Sequence, residues 1–351
     1  MIFNVFLDSG NLIRGTVIPD SLSLIPKIHI IANGREVGAL FTNEINQAIR
    51  DMGLHSTGSV DFSITDEVVP NLAALEDLEL RVDDGDLLIY RRFRQGMRNE
   101  KYLRLETQLL PLWRLDDSVK SNFQMYYRQI ERLGRSGTNQ VFLLSQDSIY
   151  LSGRILFSNF SFCQSKGFKS IVILRDPYEE LAERLLIMNM SAKEPPGLLD
   201  DREVMIYRDA LAYAATASFG NEKEARKFFF RMPMAVSLSL ANPVVRQFCT
   251  STPDEQSPMG GVARTLDRLA ESAYVGLRSD PKQILHAYSE LFGIDIKNPD
   301  IFPHFPKVTQ LAERIRHLGF CDAMLEKDLE LFHHVSEAHR HIAPEGGESK
   351  S

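Results

Sequence analysis

Apolar and polar residues alternate with period two through much of residues 1–93. KIHII (27–31) and REVGALF (35–41) flank Asn33-Gly34, the pairing that suits a two-residue hairpin turn. SVDFSI (59–64) alternates in the same way, and LELRV (78–82) and LLIYR (87–91) flank Asp84-Gly85. Turn signals at such short intervals predict a small β-rich, sandwich-like domain. One helix is expected inside it, at NEINQAIRDMG, ending at Gly53.

The pattern changes further along. Residues 94–138 read as a basic, helical connector, with a long helix near SNFQMYYRQIERLG that stops at Gly134. VFLLS (141–145) and SIVIL (170–174) are short unbroken apolar runs with a helix-length interval between them. They predict buried parallel strands joined by a crossover, hence an α/β domain over 139–342. AYVGL (273–277) is a third such strand in a mostly helical remainder. The tail 343–351, APEGGESKS, predicts disorder.

Composition narrows this little. At 44% hydrophobic and 25% charged the chain reads as globular, and a net charge of −7 argues against nucleic acid as a partner. Three scattered cysteines (Cys163, Cys249, Cys321) fit a reduced, cytoplasmic chain better than a disulfide framework. No secretory or membrane-spanning segment is expected, and peripheral attachment to the inner membrane is a second expectation for location.

Candidate chemistry concentrates at strand ends. In open α/β sheets ligands gather beyond the carboxyl ends of the strands, and Arg175 stands there in SIVILRDP. Its planar fork suits a phosphate, and it equally suits a nearby carboxylate. Asp176 and Pro177 are expected to start the next helix. Ser145, Ser148, Ser152, Gly153 and Arg154, around QDSIYLSG, form a candidate anion cradle or an ordinary capping loop. RRFRQGMRNEKYLR (91–104), with Tyr90, Phe93 and Tyr102 interleaved, is either an anion- or glycan-binding stretch or a solvated connector. The histidines of HHVSEAHRH lack the spacing of three or four that ligands on one helix face need, so no metal is predicted. Asp200-Asp201 reads as a helix cap before a metal pair, and FFFRMPM (228–234) as buried core.

IVILRDP with its following helix, NPVVRQFCTSTPD (242–254) and AYVGLRSDPKQILHAYSELFGI (273–294) resemble, in that order, segments of bacterial carbohydrate sulfotransferases. The resemblance covers roughly 139–295 and implies a P-loop sulfotransferase-like parallel sheet with helices. It implies 3′-phosphoadenosine 5′-phosphosulfate as sulfuryl donor and Arg175 on its 3′-phosphate. Ser145, Ser148, Ser152, Gly153 and Arg154 would lie at the 5′-phosphosulfate. The acceptor would be a hydroxyl of a cell-surface polysaccharide or glycolipid precursor, with polysaccharide-assembly proteins as further partners. Glu183 stands where the family carries a phosphate-binding serine, and the loop has no base before Arg154. Both features favour the alternative, a non-catalytic nucleotide- or glycan-binding or regulatory module. A nucleotide-sugar glycosyltransferase is the third reading.

Overall fold

The computed structural model describes residues 1–82, 87–191, 199–296 and 301–342. The Asp84-Gly85 turn and the tail 343–351 lie outside them.

Thirteen strands occur among the described residues: β1 (Ile2–Asp8), β2 (Leu12–Ile18), β3 (Lys27–Ala32), β4 (Arg35–Phe41), β5 (Glu44–Ile45), β6 (Ser59–Thr65), β7 (Leu78–Val82), β8 (Leu87–Arg91), β9 (Lys101–Leu105), β10 (Met125–Tyr127), β11 (Ile149–Gly153), β12 (Phe168–Leu174) and β13 (Tyr274–Leu277). They form two antiparallel sheets, ordered β1-β2-β6-β5 and β4-β3-β7-β8, and a five-stranded sheet ordered β10-β11-β9-β12-β13. In the last, β10 runs parallel to β11 and β12 to β13. The fold is therefore mixed α/β, with a parallel sheet beside antiparallel ones.

The chain divides into two compact units. The first comprises residues 1–103, 116–152 and 162–168. Its antiparallel strands follow the period-two pattern: every second side chain of β6 and β7 is buried, and Ile28, Ile30, Val60, Phe62, Ile64, Leu78 and Leu80 make the core. Asn33 and Gly34 turn the β3–β4 hairpin with φ of 51° and 74°, the left-handed pair that a type I′ turn requires. The expected helix is present as Gln47–Asp51, capped by Asn46 and closed before Gly53 at φ 70°.

The second unit comprises residues 104–115, 153–161 and 169–351. Its centre is the helix Pro177–Ser191, whose Leu181, Ala182, Leu185 and Met188 pack with Val308, Leu311 and Ile315 of the helix Pro306–Leu318. Asp176 starts that central helix by accepting from the backbone N–H groups of Tyr178 (3.0 Å) and Glu179 (3.2 Å), and Pro177 fills its first position.

Four expectations are corrected. The connector 94–138 is not mainly helical: β9 and β10 lie within it, and MYY, read as helix, is the buried strand β10. VFLLS is not a strand. Val141 and Phe142 end the helix Gly134–Phe142, where a three-residue spacing buries Thr138 and Val141. The strand lies further on, at β11, and no helix-length crossover separates it from β12; two 3₁₀ segments do. FFFRMPM is only partly core, because Phe228 is buried whereas Phe230 and Met234 face solvent.

Gly15 sits in the central strand of one antiparallel sheet, paired with Val5 and Phe62. A Cβ there would lie 2.7 Å from Phe62 Cζ and 2.8 Å from the Asn4 carbonyl oxygen. Gly15→Ala should therefore destabilise the first unit by about 1–3 kcal/mol, read as a lower denaturation midpoint. An unchanged midpoint would mean that Phe62 relaxes without cost.

Candidate functional site

Arginines punctuate the strand ends of the second unit. Arg104 lies one residue before the end of β9, and Arg154, Arg175 and Arg278 directly follow β11, β12 and β13. This is where a parallel sheet ordinarily offers its ligand crevice. Here each guanidinium meets protein acceptors.

Arg175 is only 8% exposed. Its Nη1 donates to Glu183 Oε2 at 2.5 Å and its Nε to Glu179 Oε2 at 3.1 Å. Both acceptors stand on the helix that Arg175 precedes. Glu183 is 2% exposed. Burial opposes the charge of Arg175, but Glu183 and Glu180 outweigh it and hold the guanidinium above the usual arginine range. Burial also pushes the Glu183 carboxyl up, against the pull of Arg175. The cavity lined by Arg175, Pro177, Glu180, Val244 and Asp328 measures about 10 Å³, room for about one water.

Arg154 donates through Nε to Glu203 Oε1 at 2.8 Å and through Nη1 to the carbonyl oxygens of Leu109 (2.7 Å) and Gln108 (3.2 Å). Glu203 completes a capping box with Asp200 at the start of the helix Asp201–Ile206, as the Asp200-Asp201 pair suggests. Arg104 pairs with Glu106 at 2.9 Å. Arg278 takes a neutral partner, the Gln108 side-chain carbonyl, and also donates to the Pro303 carbonyl. Burial and the neighbouring Arg175 lower its pKa.

The candidate cradle does not assemble into one phosphate loop. Ser145 and Ser148 precede β11, whereas Ser152 and Gly153 end it, and a 3₁₀ turn, not an α-helix, is the next element after Arg154. Ser148 Oγ accepts from the Gln124 backbone N–H (2.9 Å), and Ser152 Oγ donates to Asp116 Oδ2 (2.8 Å). Exposed Ser145 reaches only Asn4 Oδ1, at 3.4 Å. Without a helix N-terminus there is no converging fan of N–H donors for an anion.

The segment Glu106–Leu109, which sequence reasoning passed over, joins the network. Glu106 accepts from the N–H groups of Gln108 (3.1 Å) and Leu112 (2.8 Å), and its carbonyl accepts from Gln247 (2.9 Å). Thr107 donates to the Ile173 carbonyl at 2.9 Å. Arg184 binds Glu180 (2.7 Å), Tyr207 (3.1 Å) and the Thr107 carbonyl (3.2 Å). The visible signal was a polar Glu-Thr-Gln wedged between the apolar runs YLRL and LLPLW.

In the first unit the basic stretch divides. Arg91 binds Glu79 (2.8 Å through Nε), and Arg92 clamps both Asp8 oxygens (2.8 and 2.9 Å) while donating to the Leu72, Leu75 and Gly10 carbonyls. Tyr90 and Tyr102 are buried, but Phe93 is 47% exposed. Glu76, Phe93, Arg94, Gln95, Ser121 and Asn122 are among the residues lining an open cavity of about 840 Å³. Arg94 meets only the half-exposed Asp77, at 3.1 Å.

Among the described residues no group of three or more His, Cys, Asp and Glu side chains could hold a metal ion, and no helix is long and apolar enough to cross a membrane. No protein-family model matches the chain, and no curated protein matches it.

Two predictions follow from the geometry of the second unit. Arg175→Met should cost about 3–5 kcal/mol, because it leaves Glu183 buried and unpaired; adding Glu183→Leu should recover most of that loss. A neutral or stabilising Arg175→Met would instead mark an arginine held ready for a ligand. Asp328, buried, accepts from the Val244 and Val245 N–H groups at 2.9 Å each, and burial pushes its pKa up to about 6 from 3.8. The folded state thus binds this proton more tightly, so the contribution of Asp328 falls as pH rises from about 4 to 6. Relative to Asp328→Asn, the wild type should gain about 2–3 kcal/mol between pH 7 and pH 4. A flat difference in urea melts across that window would refute this.

Proposed function

We propose that the chain is a non-catalytic glycan-binding module in which the sulfotransferase-like half is a closed scaffold. The observation that carries this reading is the Arg175–Glu183 pair at 2.5 Å beside a cavity of about 10 Å³. A 3′-phosphate there would have to displace a buried carboxylate from its partner and would face Glu180 and Glu183 together. Sulfuryl transfer also demands a positioned donor and a charge-stabilising cradle for its leaving phosphate, and residues 145–154 are engaged elsewhere or spread over both ends of β11.

The first unit supplies the opposite kind of site. An open cavity of about 840 Å³ falls within the range of small-ligand clefts. Phe93 offers an apolar face for a sugar ring, and Gln95, Ser121 and Asn122 offer donors and acceptors for its hydroxyls. Arg94 can exchange its weak surface partner for a ligand carboxylate or sulfate. An acidic oligosaccharide is therefore the expected ligand class.

Melting curves test this. A uronic-acid or sulfated oligosaccharide at about a hundredfold excess over Kd should raise Tm by roughly 5 °C, and Phe93→Ala with Arg94→Ala should remove the shift. Adenosine 3′,5′-bisphosphate should give none. A shift with that nucleotide, abolished by Arg175→Ala, would restore the sulfuryl-transfer reading.

A further inference from the structure

The helix Glu222–Phe230 packs its Ala225 and Phe228 inward. On its outer face lie Lys223, Arg226, Lys227 and Phe230; Arg231 follows at the helix end, and Met234 opens the next helix, Met234–Leu240. All are exposed, Phe230 at 79% and Met234 at 73%. The Arg226 guanidinium lies 5.7 Å from the ring centroid of Phe320, itself 44% exposed. A further exposed aromatic side chain therefore borders Arg226.

Two properties set this face apart from the rest of the chain. None of its four cations forms an ion pair among the described residues, whereas Arg154 and Arg175 of the same unit pair with Glu203 and Glu183. The acids of the same helix are Glu222 and Glu224, in its first turn at the opposite end from Phe230. Glu224 is occupied by Ser218 Oγ. A local positive excess is thus displayed on a chain of net charge −7. Basic residues around a projecting Phe and Met are what an anionic lipid surface recognises: the cations stay at the headgroups while the apolar tips enter the acyl boundary. Polyanions such as nucleic acid would meet the charges but give Phe230 and Met234 no apolar medium.

We propose that this face docks the protein peripherally on an anionic bilayer. The assignment is independent of the glycan reading. Co-sedimentation with vesicles tests it, using phosphatidylcholine alone and phosphatidylcholine mixed with phosphatidylglycerol. The full chain should bind the mixed vesicles only, and added salt should release it. Lys227→Gln and Arg231→Gln should each weaken binding roughly fivefold. Phe230→Ser should weaken it by about tenfold or more. Because these side chains are exposed, the variants should melt with the wild type, which separates loss of docking from loss of fold. No binding to the mixed vesicles would overturn the proposal. So would binding unaffected by all three changes, or retention by duplex DNA or polyglutamate without vesicle binding.

Discussion

A guanidinium that is taken out of water must find acceptors for its donors, and the second unit is organised around that demand. Arg154, Arg175 and Arg278 follow three strand ends, and burial makes an unmatched cation there cost several kcal/mol. The helix after β12 answers with Glu179 and Glu183, so that strand, turn and helix are fixed by two ion pairs on one arginine. The helix in turn is buried nearly all round, with Glu180 and Arg184 paired inside it. Its register against the sheet cannot slip by a residue without leaving a carboxylate or a guanidinium unpaired. Such pairs add little net stability over apolar packing; what they add is a single arrangement.

The same demand decides what the strand ends can do. Backbone carbonyls of Gln108, Leu109 and Pro303, the Gln108 amide and the carboxylates of Glu106, Glu183 and Glu203 take up the donors that an anionic ligand would otherwise have used. Architecture and site are therefore separable here. β12 runs parallel to β13 and each is followed by an arginine, yet both guanidinium groups are turned to protein acceptors.

How much of this was legible depended on the sequence distance between partners. Asn33-Gly34, the alternation of SVDFSI and the apolar run SIVIL are local signals, and the strands they predict are present. Glu179 and Glu183 stand within eight residues of Arg175, so the latch could be read from the sequence as an alternative to phosphate. The basic stretch 91–104 could not be resolved in that way, because Arg92 finds its acid far away in sequence at Asp8, and Arg91 finds its own at Glu79, its partner on the neighbouring strand. MYY and VFLLS failed for another reason. Runs of three to five apolar residues carry no period, and tertiary burial decided between helix and strand.

Arginine thus appears in three states, and counting cations does not distinguish them. Arg92 and the buried Arg175 are held by internal carboxylates, so they position backbone before they recruit any ligand. Arg94 is partly exposed, with one surface acid that water already weakens, and it borders an open cavity. Among the described residues Arg226 and Arg231 have no acid partner, and Arg226 lies against the half-exposed Phe320 ring. Capacity to bind rises along that series as internal acceptors fall away. The net charge of −7 hides the gradient, since the excess acid lies largely elsewhere in the chain. Binding capacity therefore follows the number of donors a cation has left over after folding, and by that measure the sheet edge singled out by its arginines is the least available surface of the three.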